Sequence, residues 1–562
     1  MKIFAQRHPL LWAYLFFAYF SVLVQGLIYF SGMSGFVGFR QAIIVSLLWL
    51  IPLLLWPKRS KQISALLAIP IWAAAISALG YWLIYSQDFS QSVIFIIFES
   101  NWAEGSEFIQ SYFRWWYAPV FIIFSIIPFL IWRVMPRNIL LSTRSRYIYL
   151  ALFISILSWP FFKTLLINHE GFEEAKNEFL ERLEPASPWN IVVAYTKYRQ
   201  QLSVMNKMLA KNKQLPKLAG FKTVDTLPNT VVLVIGESTN RQRMSLYGYQ
   251  RETTPNLDAM KNDLLVFNDV VTPRPYTIEA LQQVLSFADS KEPDRFFSQP
   301  TLLNIMKDAG YSITWITNQQ TQTKRNTLLT MLSQLADKQI YLNNNRAQNA
   351  DQYDGNVLKP FFASLKQSSS KQFIIVHLLG THRKYHFRYP PEFNHFTNHD
   401  LVPAWVGDEN IDEYNAYDNA VLYNDSVVSS LIKQLAKKND SSVLFYFSDH
   451  GEEVFDYPNK LFAGRNENAP TPAMYTIPFI IWSSDKFKSH APFTLWQSFE
   501  NRPFSNADFI YTFSDIVGID YNMLDPTRSL ISDSFTVHPR WIGDPLEPKS
   551  LQDFGDIKTP RR

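Results

Sequence analysis

The chain has 562 residues, enough for two domains, and a formal net charge of +4. That charge is too mild for a nucleic-acid binder, and no basic run with interleaved aromatics stands out. There is no cysteine, which excludes a disulfide framework and any cysteine-ligated zinc site.

The apolar residues are concentrated in the first third of the chain. A membrane span needs roughly 20 mostly apolar residues. Five segments qualify: Pro9–Phe30, Gln41–Trp56, Ile63–Tyr85, Ala118–Met135 and Tyr147–Ile167. Lys2 and Arg7 precede the first segment, and Lys58, Arg59 and Lys61 lie between the second and third. Arg133, Arg137, Arg144 and Arg146 cluster around the loop between the fourth and fifth. The loop Ser86–Tyr117 instead carries Asp88, Glu99, Glu104 and Glu107. The positive-inside rule therefore predicts a cytoplasmic N-terminus, and an odd number of spans sends everything after Asn168 to the outer side. The first segment is too long for a cleavable signal, and no small-residue cleavage site follows it. Within the Ser86–Tyr117 loop, SVIFIIF and YFRWWY are too short to span. They read as interfacial pieces, with Trp115, Trp116 and Tyr117 as a headgroup anchor.

The stretch from 168 to 227 is polar and helical in pattern, broken by Pro185 and Pro188, and reads as bridging helices and linker between a span domain (1–167) and a globular domain (228–562). Beyond Pro228, strands are expected at Val231–Ile235, Leu264–Val270, Ser312–Thr317, Phe373–His377, Val443–Ser448 and Thr476–Trp482. Helices are expected at Ile278–Ala288, Thr301–Ala309, Val357–Gln367 and Asp418–Ala436. Alternation of strands and helices predicts a largely parallel sheet in a three-layer α/β/α domain.

Two of these strands stop on metal-type ligands. TVVLVIGEST presents Glu237, and SVLFYFSDHGEE presents Asp449 and His450. The carboxyl edge of an open α/β sheet is where ligands are placed. Two carboxylates and one imidazole suit a metal site with an open position. Taken singly, Glu237 also reads as a cap or salt-bridge partner, and Asp449–His450 as a structural pair. Thr277, in VVTPRPYTIEALQQ, sits before a helical pattern, where free N–H groups and the dipole favour anionic oxygen. It is a nucleophile candidate if a metal comes close. Its local alternative is an ordinary N-cap with Glu279 in the first turn. His377 ends a strand and reads as a satisfied core histidine.

The segments GESTNRQRMSLYGYQRETTPNLD, PRPYTIEALQQ, LLGTH and YFSDHGEE resemble those of the inner-membrane phosphoethanolamine transferases, members of the alkaline phosphatase and sulfatase superfamily. The resemblance includes the five spans and a carboxyl-terminal stretch, DPTRS…RWIGDP, and is strongest to the type that modifies a phosphorylated heptose of the lipopolysaccharide core. It implies a five-helix membrane domain followed by a periplasmic, metal-dependent α/β/α domain. It also implies zinc held by Glu237, Asp449 and His450, with the oxygen of Thr277 completing the site. Thr277 would take phosphoethanolamine from phosphatidylethanolamine and pass it to lipopolysaccharide. His382 matches a family histidine near the phosphate or a second metal, and Lys324 a phosphate-contacting lysine. Many relatives carry a histidine about a dozen residues after the Asp-His pair. Here DYPNKLFAGRNEN has none, so Lys460 or Arg465 is expected to supply positive charge to the phosphate, and a second metal is in question. The protein is expected to be a monomer in a Gram-negative inner membrane, with no nucleic-acid partner.

Alternatives remain at this stage: transfer to a lipid A phosphate, a phosphoglycerol transferase or phosphodiesterase of the same superfamily, or an inactive membrane-anchored binding protein. A sulfatase activity fits poorly. It needs a Cys or Ser in a Cys/Ser-x-Pro-x-Arg pattern, whereas Thr277 is followed by Ile-Glu-Ala.

Overall fold

The structure is a computed structural model. It describes all residues except 1, 31–35, 86–113, 170, 194, 197–198, 200–214, 216, 321–331, 344–351, 367–370, 459–461 and 558–562. The chain forms two compact units, Met1–Val204 and Met205–Arg562.

Among the described residues, five helices of the first unit are long and apolar enough to cross a membrane: α1 (Pro9–Phe30), α2 (Phe36–Leu55), α3 (Pro57–Ile84), α4 (Tyr117–Val134) and α5 (Thr143–Ile167). They coincide with the five predicted spans. Polar tips inside the bundle bond to backbone carbonyls of neighbouring helices, since lipid offers no other partner. Trp12 Nε1 donates to the Ile131 carbonyl at 2.9 Å, and Tyr19 Oη to that of Phe124 at 3.2 Å. Most of the predicted interfacial loop Ser86–Tyr117 lies outside the described residues. Of its expected anchor, Trp115 and Trp116 are exposed, whereas Tyr117 is buried at the start of α4.

A further helix, α6 (Phe172–Leu183), follows in the polar connector. Leu183 and Ala186 pack with Val45, and Trp189 stacks on Trp49 with ring centroids 5.9 Å apart. The Ser187 N–H donates to Ser21 Oγ at 3.1 Å. The start of the connector is thus tied to the bundle.

Among the described residues, the main sheet of the second unit has seven strands: β1 (Thr230–Gly236), β2 (Leu264–Phe267), β3 (Ser312–Gln320), β4 (Lys338–Asn343), β5 (Gln372–His377), β6 (Ser442–Ser448) and β7 (Phe479–Ser483). Their order is β2-β7-β6-β1-β5-β3-β4. Every neighbouring pair from β6 to β4 is parallel, and β7 runs antiparallel to both β6 and β2. β1 is buried throughout, as expected of a continuous apolar run covered on both faces. Val231, Leu233 and Ile235 join the core under α7 (Thr277–Val284), α8 (Leu302–Asp308) and a late helix at Phe509–Val517. Val232 and Val234 join the opposite core, under α9 (Leu358–Leu365) and α10 (Ile411–Ala436). The three-layer α/β/α prediction holds.

Three local expectations are corrected. The strand expected at Leu264–Val270 ends at Phe267. Asn268 turns out to bond the Glu500 carbonyl, and Val270–Val271 pairs separately with Phe504–Ser505. The strand expected from Thr476 begins at Phe479, because Pro472–Tyr475 forms a helical turn. β4 was not expected at all. It is a half-exposed edge strand, KQIYLN, with too few apolar residues to announce itself.

Candidate active site

β1 and β6 are neighbours in parallel register, with Gly236 opposite Ser448. The residue after each strand therefore lands at the same sheet edge, about one strand spacing, ~4.8 Å, from the other. Those residues are Glu237 and Asp449, and the Asp449 N–H donates to the Gly236 carbonyl at 3.0 Å. β5 flanks β1 on the other side. Its loop closes over the same point, with the Thr381 N–H and hydroxyl both donating to the Glu237 carbonyl, at 3.0 and 3.1 Å. Gly380 makes this approach possible. It has φ +54°, and a Cβ there would lie 2.6 Å from the Glu237 carbonyl oxygen.

Ser238 also adopts a left-handed backbone, φ 59°, costly for a residue with a Cβ. The turn lets its N–H donate to Asp449 Oδ1 at 3.2 Å while its hydroxyl donates to Glu237 Oε1 at 2.9 Å. Gln319, at the end of β3, donates to Glu237 Oε2 at 3.1 Å and to the Leu378 carbonyl at 2.7 Å. Sequence reasoning missed both residues. For Gln319 a signal existed: a third parallel strand ends at the same sheet edge.

His450 Nδ1 lies 2.9 Å from the Gly451 carbonyl, which directs the ring's other nitrogen into the site. His450 Nε2 is 3.1 Å from Glu237 Oε1 and 3.5 Å from Asp449 Oδ2. Ligand atoms of Glu237, Asp449 and His450 all lie within 4.8 Å of one another, and all three residues are buried. Asp449 Oδ2 is buried with no hydrogen-bond partner among the described residues. An unsatisfied carboxylate oxygen beside a carboxylate and an imidazole held with Nε2 toward them is a donor set that fits a divalent cation.

The electrostatics agree. Burial alone would raise both carboxyl pKa values. The charge of His450, with smaller contributions from His382 and Arg465, instead holds Glu237 well below the usual range. Burial and then the Glu237 charge push Asp449 up to about 7. Two buried carboxylates this close do not both ionise readily without a compensating positive charge.

Thr277 is the first residue of α7, and Tyr276 is its N-cap. The N-cap reading of Thr277 is therefore corrected. Its hydroxyl turns away from the helix and donates to Glu237 Oε2 at 2.9 Å, with His450 Nε2 3.4 Å away. The preceding loop is pinned from several directions. The Thr272 hydroxyl donates to the Asp449 carbonyl at 2.6 Å. Buried Arg274 grips both oxygens of Glu467, at 2.6 and 3.0 Å, and reaches Asp544 of the carboxyl-terminal stretch at 3.3 Å.

Of the remaining predicted residues, Arg465 is brought into the site. Its guanidinium contacts His450 Nε2, with Nη1 3.7 Å from Glu237 Oε1 and Nε 3.3 Å from Glu452 Oε2. Tyr385 holds the other Glu452 oxygen at 2.9 Å, a support the sequence reading did not find. His382 follows Thr381 directly, and its charge acts on Glu237. Lys324 and Lys460 lie outside the described residues. His377 is corrected: it is fully buried, but neither ring nitrogen has a hydrogen-bond partner among the described residues. Burial pushes its pKa down to about 4, against an opposing effect of Glu237.

The Sulfatase family matches residues 229–519. Phosphoethanolamine transferase EptC of Escherichia coli (strain K12) is 48% identical over 552 residues, covering 97% of this chain and 95% of that protein. The chain belongs to the phosphoethanolamine transferases of the sulfatase family. Among solved structures, the zinc complex of the C-terminal periplasmic domain of Escherichia coli EptC is 51% identical. It aligns over 62% of this transferase and 100% of that chain, with a TM-score of 0.59. The integral membrane protein lipooligosaccharide phosphoethanolamine transferase A of Neisseria meningitidis shares the fold over 93% of this transferase and 96% of its own chain, at 19% identity and TM-score 0.63. The transferase fold thus extends through the membrane helices as well as the α/β/α unit.

Proposed function

We propose that this transferase moves phosphoethanolamine from phosphatidylethanolamine to lipopolysaccharide, on a phosphorylated heptose of the core, through a covalent intermediate on Thr277. The reading rests above all on one observation: the hydroxyl of Thr277, the first residue of α7, points at the buried Glu237–Asp449–His450 group. On this reading the soluble unit is on the periplasmic side of a Gram-negative inner membrane and the N-terminus is cytoplasmic, an orientation that the five spans and their charge bias support.

Glu237, Asp449 and His450 would hold a zinc ion beside Thr277 Oγ1, supplying positive charge for the phosphoryl oxygens and lowering the pKa of the neighbouring hydroxyl. Thr277 Oγ1 attacks phosphorus, and its proton starts on the hydrogen bond to Glu237 Oε2. The bond from phosphorus to the diacylglycerol oxygen breaks, and diacylglycerol leaves as the alcohol. An oxygen of the singly protonated acceptor phosphate then attacks the same phosphorus, the bond from phosphorus to Thr277 Oγ1 breaks, and the acceptor's proton passes to Oγ1 and restores the hydroxyl. Two displacements replace one transfer between bulky lipids. Arg465 and His382 face the transferred phosphate, and Lys324 and Lys460 are further candidates to contact it.

The test is mass spectrometry of the full chain after exposure to phosphatidylethanolamine, with lipopolysaccharide from the same cells fragmented into lipid A and core. The expected result is a phosphoethanolamine adduct on Thr277 and product on the core. A Thr277→Ala protein that still modifies lipopolysaccharide would refute the mechanism. Product confined to lipid A would refute the acceptor.

A further inference from the structure

At the end of α5 the helix widens into a five-residue π-turn, Lys163–Ile167, closed by the Asn168 N–H donating to the Lys163 carbonyl at 3.0 Å. Such turns are rare and concentrate at functional positions. Here the turn borders a cavity of about 280 Å³ between α5 and α6, lined by Trp159, Lys163, Thr164, Asn168, Glu178 and Arg182, with Pro160 at its edge. The Phe161 and Phe172 rings, 5.6 Å apart edge to face, close the two helices against each other.

The cavity is polar, yet its surroundings are not. Trp159, Phe162, Leu166, Ile167 and Phe172 are all exposed apolar side chains. A small charged cavity within a rim that seeks lipid fits an amphiphile, with its head in the cavity and its chains along the rim. Its volume is just below that of sites for whole drug-sized ligands, about 300–1,000 Å³, which suits a headgroup alone.

The charges narrow the chemistry. Lys163 is exposed and has no ion-pair partner among the described residues. Arg182 Nε donates to Glu178 Oε1 at 2.7 Å, and its Nη2 lies 2.5 Å from the same oxygen. Both contacts fall on one carboxylate oxygen, and both side chains line the cavity and are about a third exposed, which keeps Glu178 Oε2 and Arg182 Nη1 available to a ligand. We propose that this cavity binds the headgroup of a zwitterionic phospholipid, with the phosphate on Lys163 and Arg182 and the ammonium on Glu178. The site lies wholly within the membrane unit and goes beyond the transfer reading; it uses none of the residues around Thr277.

Native mass spectrometry of the full chain in detergent tests this, using Thr277→Ala protein so that no lipid is consumed. The probes are dioleoyl phosphatidylethanolamine and dioleoyl phosphatidylglycerol in equal amounts. The expected result is preferential retention of phosphatidylethanolamine, falling about tenfold in Lys163→Ala, the usual effect of losing one charge-assisted contact. Glu178→Gln separates recognition from simple attraction. The proposal expects it to lose phosphatidylethanolamine but keep phosphatidylglycerol. A rise in both lipids would mean surface charge alone, and a fall in both would mean that Glu178 only positions Arg182. Either outcome overturns the assignment, as does unchanged binding in Lys163→Ala or a preference for phosphatidylglycerol. Failure of lipopolysaccharide modification would leave these binding results untouched, so the two readings fail separately.

Discussion

The guanidinium of Arg465 touches His450 on Nε2, the ring nitrogen that also faces Glu237 and Thr277. It is anchored from behind by Glu452, which Tyr385 holds in turn. A planar cation fixed beside the Thr277 hydroxyl is suited to grip two oxygens of one phosphate. Arg465→Ala is expected to lower kcat/KM by roughly 10- to 100-fold, the range for losing a hydrogen-bonded charge. Arg465→Lys should recover only part of this, because an ammonium cannot reproduce the fork. Steady-state kinetics of the three proteins with phosphatidylethanolamine check it, and full recovery by lysine would show that charge without geometry suffices.

Thr277→Ser keeps a hydroxyl at the start of α7 but drops the methyl that restricts its rotamer. The expected result is a covalent adduct that still forms, at a rate reduced by about tenfold or less, a modest orientation cost. Single-turnover mass spectrometry reads this. No adduct in the serine protein would mean that the hydroxyl is not the attacking group.

Removing the metal should abolish transfer, and zinc should restore it. Asp449→Asn replaces one oxygen donor of the cluster with an amide and keeps its shape, so zinc content by elemental analysis should fall well below that of the wild type. Because a ligand that binds only the folded state stabilises it, the chelated wild-type protein should also melt several degrees lower. Equal melting temperatures with and without zinc would count against the site.

His377 makes acid stability a local property. Its folded-state pKa of about 4 lies below the ordinary 6.5. Between those values the unfolded chain takes up a proton that the buried ring refuses. Stability is therefore complete above pH 6.5 and is lost as pH falls toward 4, by up to about 3 kcal/mol. His377→Leu removes that titration and an unpartnered ring, so its melting temperature should change less than that of the wild type between pH 7.5 and 5. Parallel pH profiles for the two proteins would refute this.

The fold was legible where physics leaves a periodic mark. The five spans are long apolar runs, and the central strands are shorter ones covered on both faces. β4 left no such mark, since an edge strand carries polar residues. At the site, Glu237 and Asp449–His450 were visible because each follows a buried strand. Only the register of β1 with β6 decides that they meet, and register is set by the whole sheet. The direction of the Thr277 hydroxyl depends on a loop held by Arg274, Glu467 and Asp544, residues spread over most of the soluble unit. Gln319 and Glu452 act through contacts that no local pattern encodes.

The placement of Glu237 on the central strand has a further consequence. β1 is flanked by parallel partners on both sides and roofed by a core on each face, so its amides open to solvent only when the whole unit unfolds. Hydrogen exchange at Val232–Ile235 would then report the global stability of the unit. The placement of Glu237 is as permanent as the fold itself, so on the proposed reading whatever adapts between donor and acceptor has to be found in the loops around it.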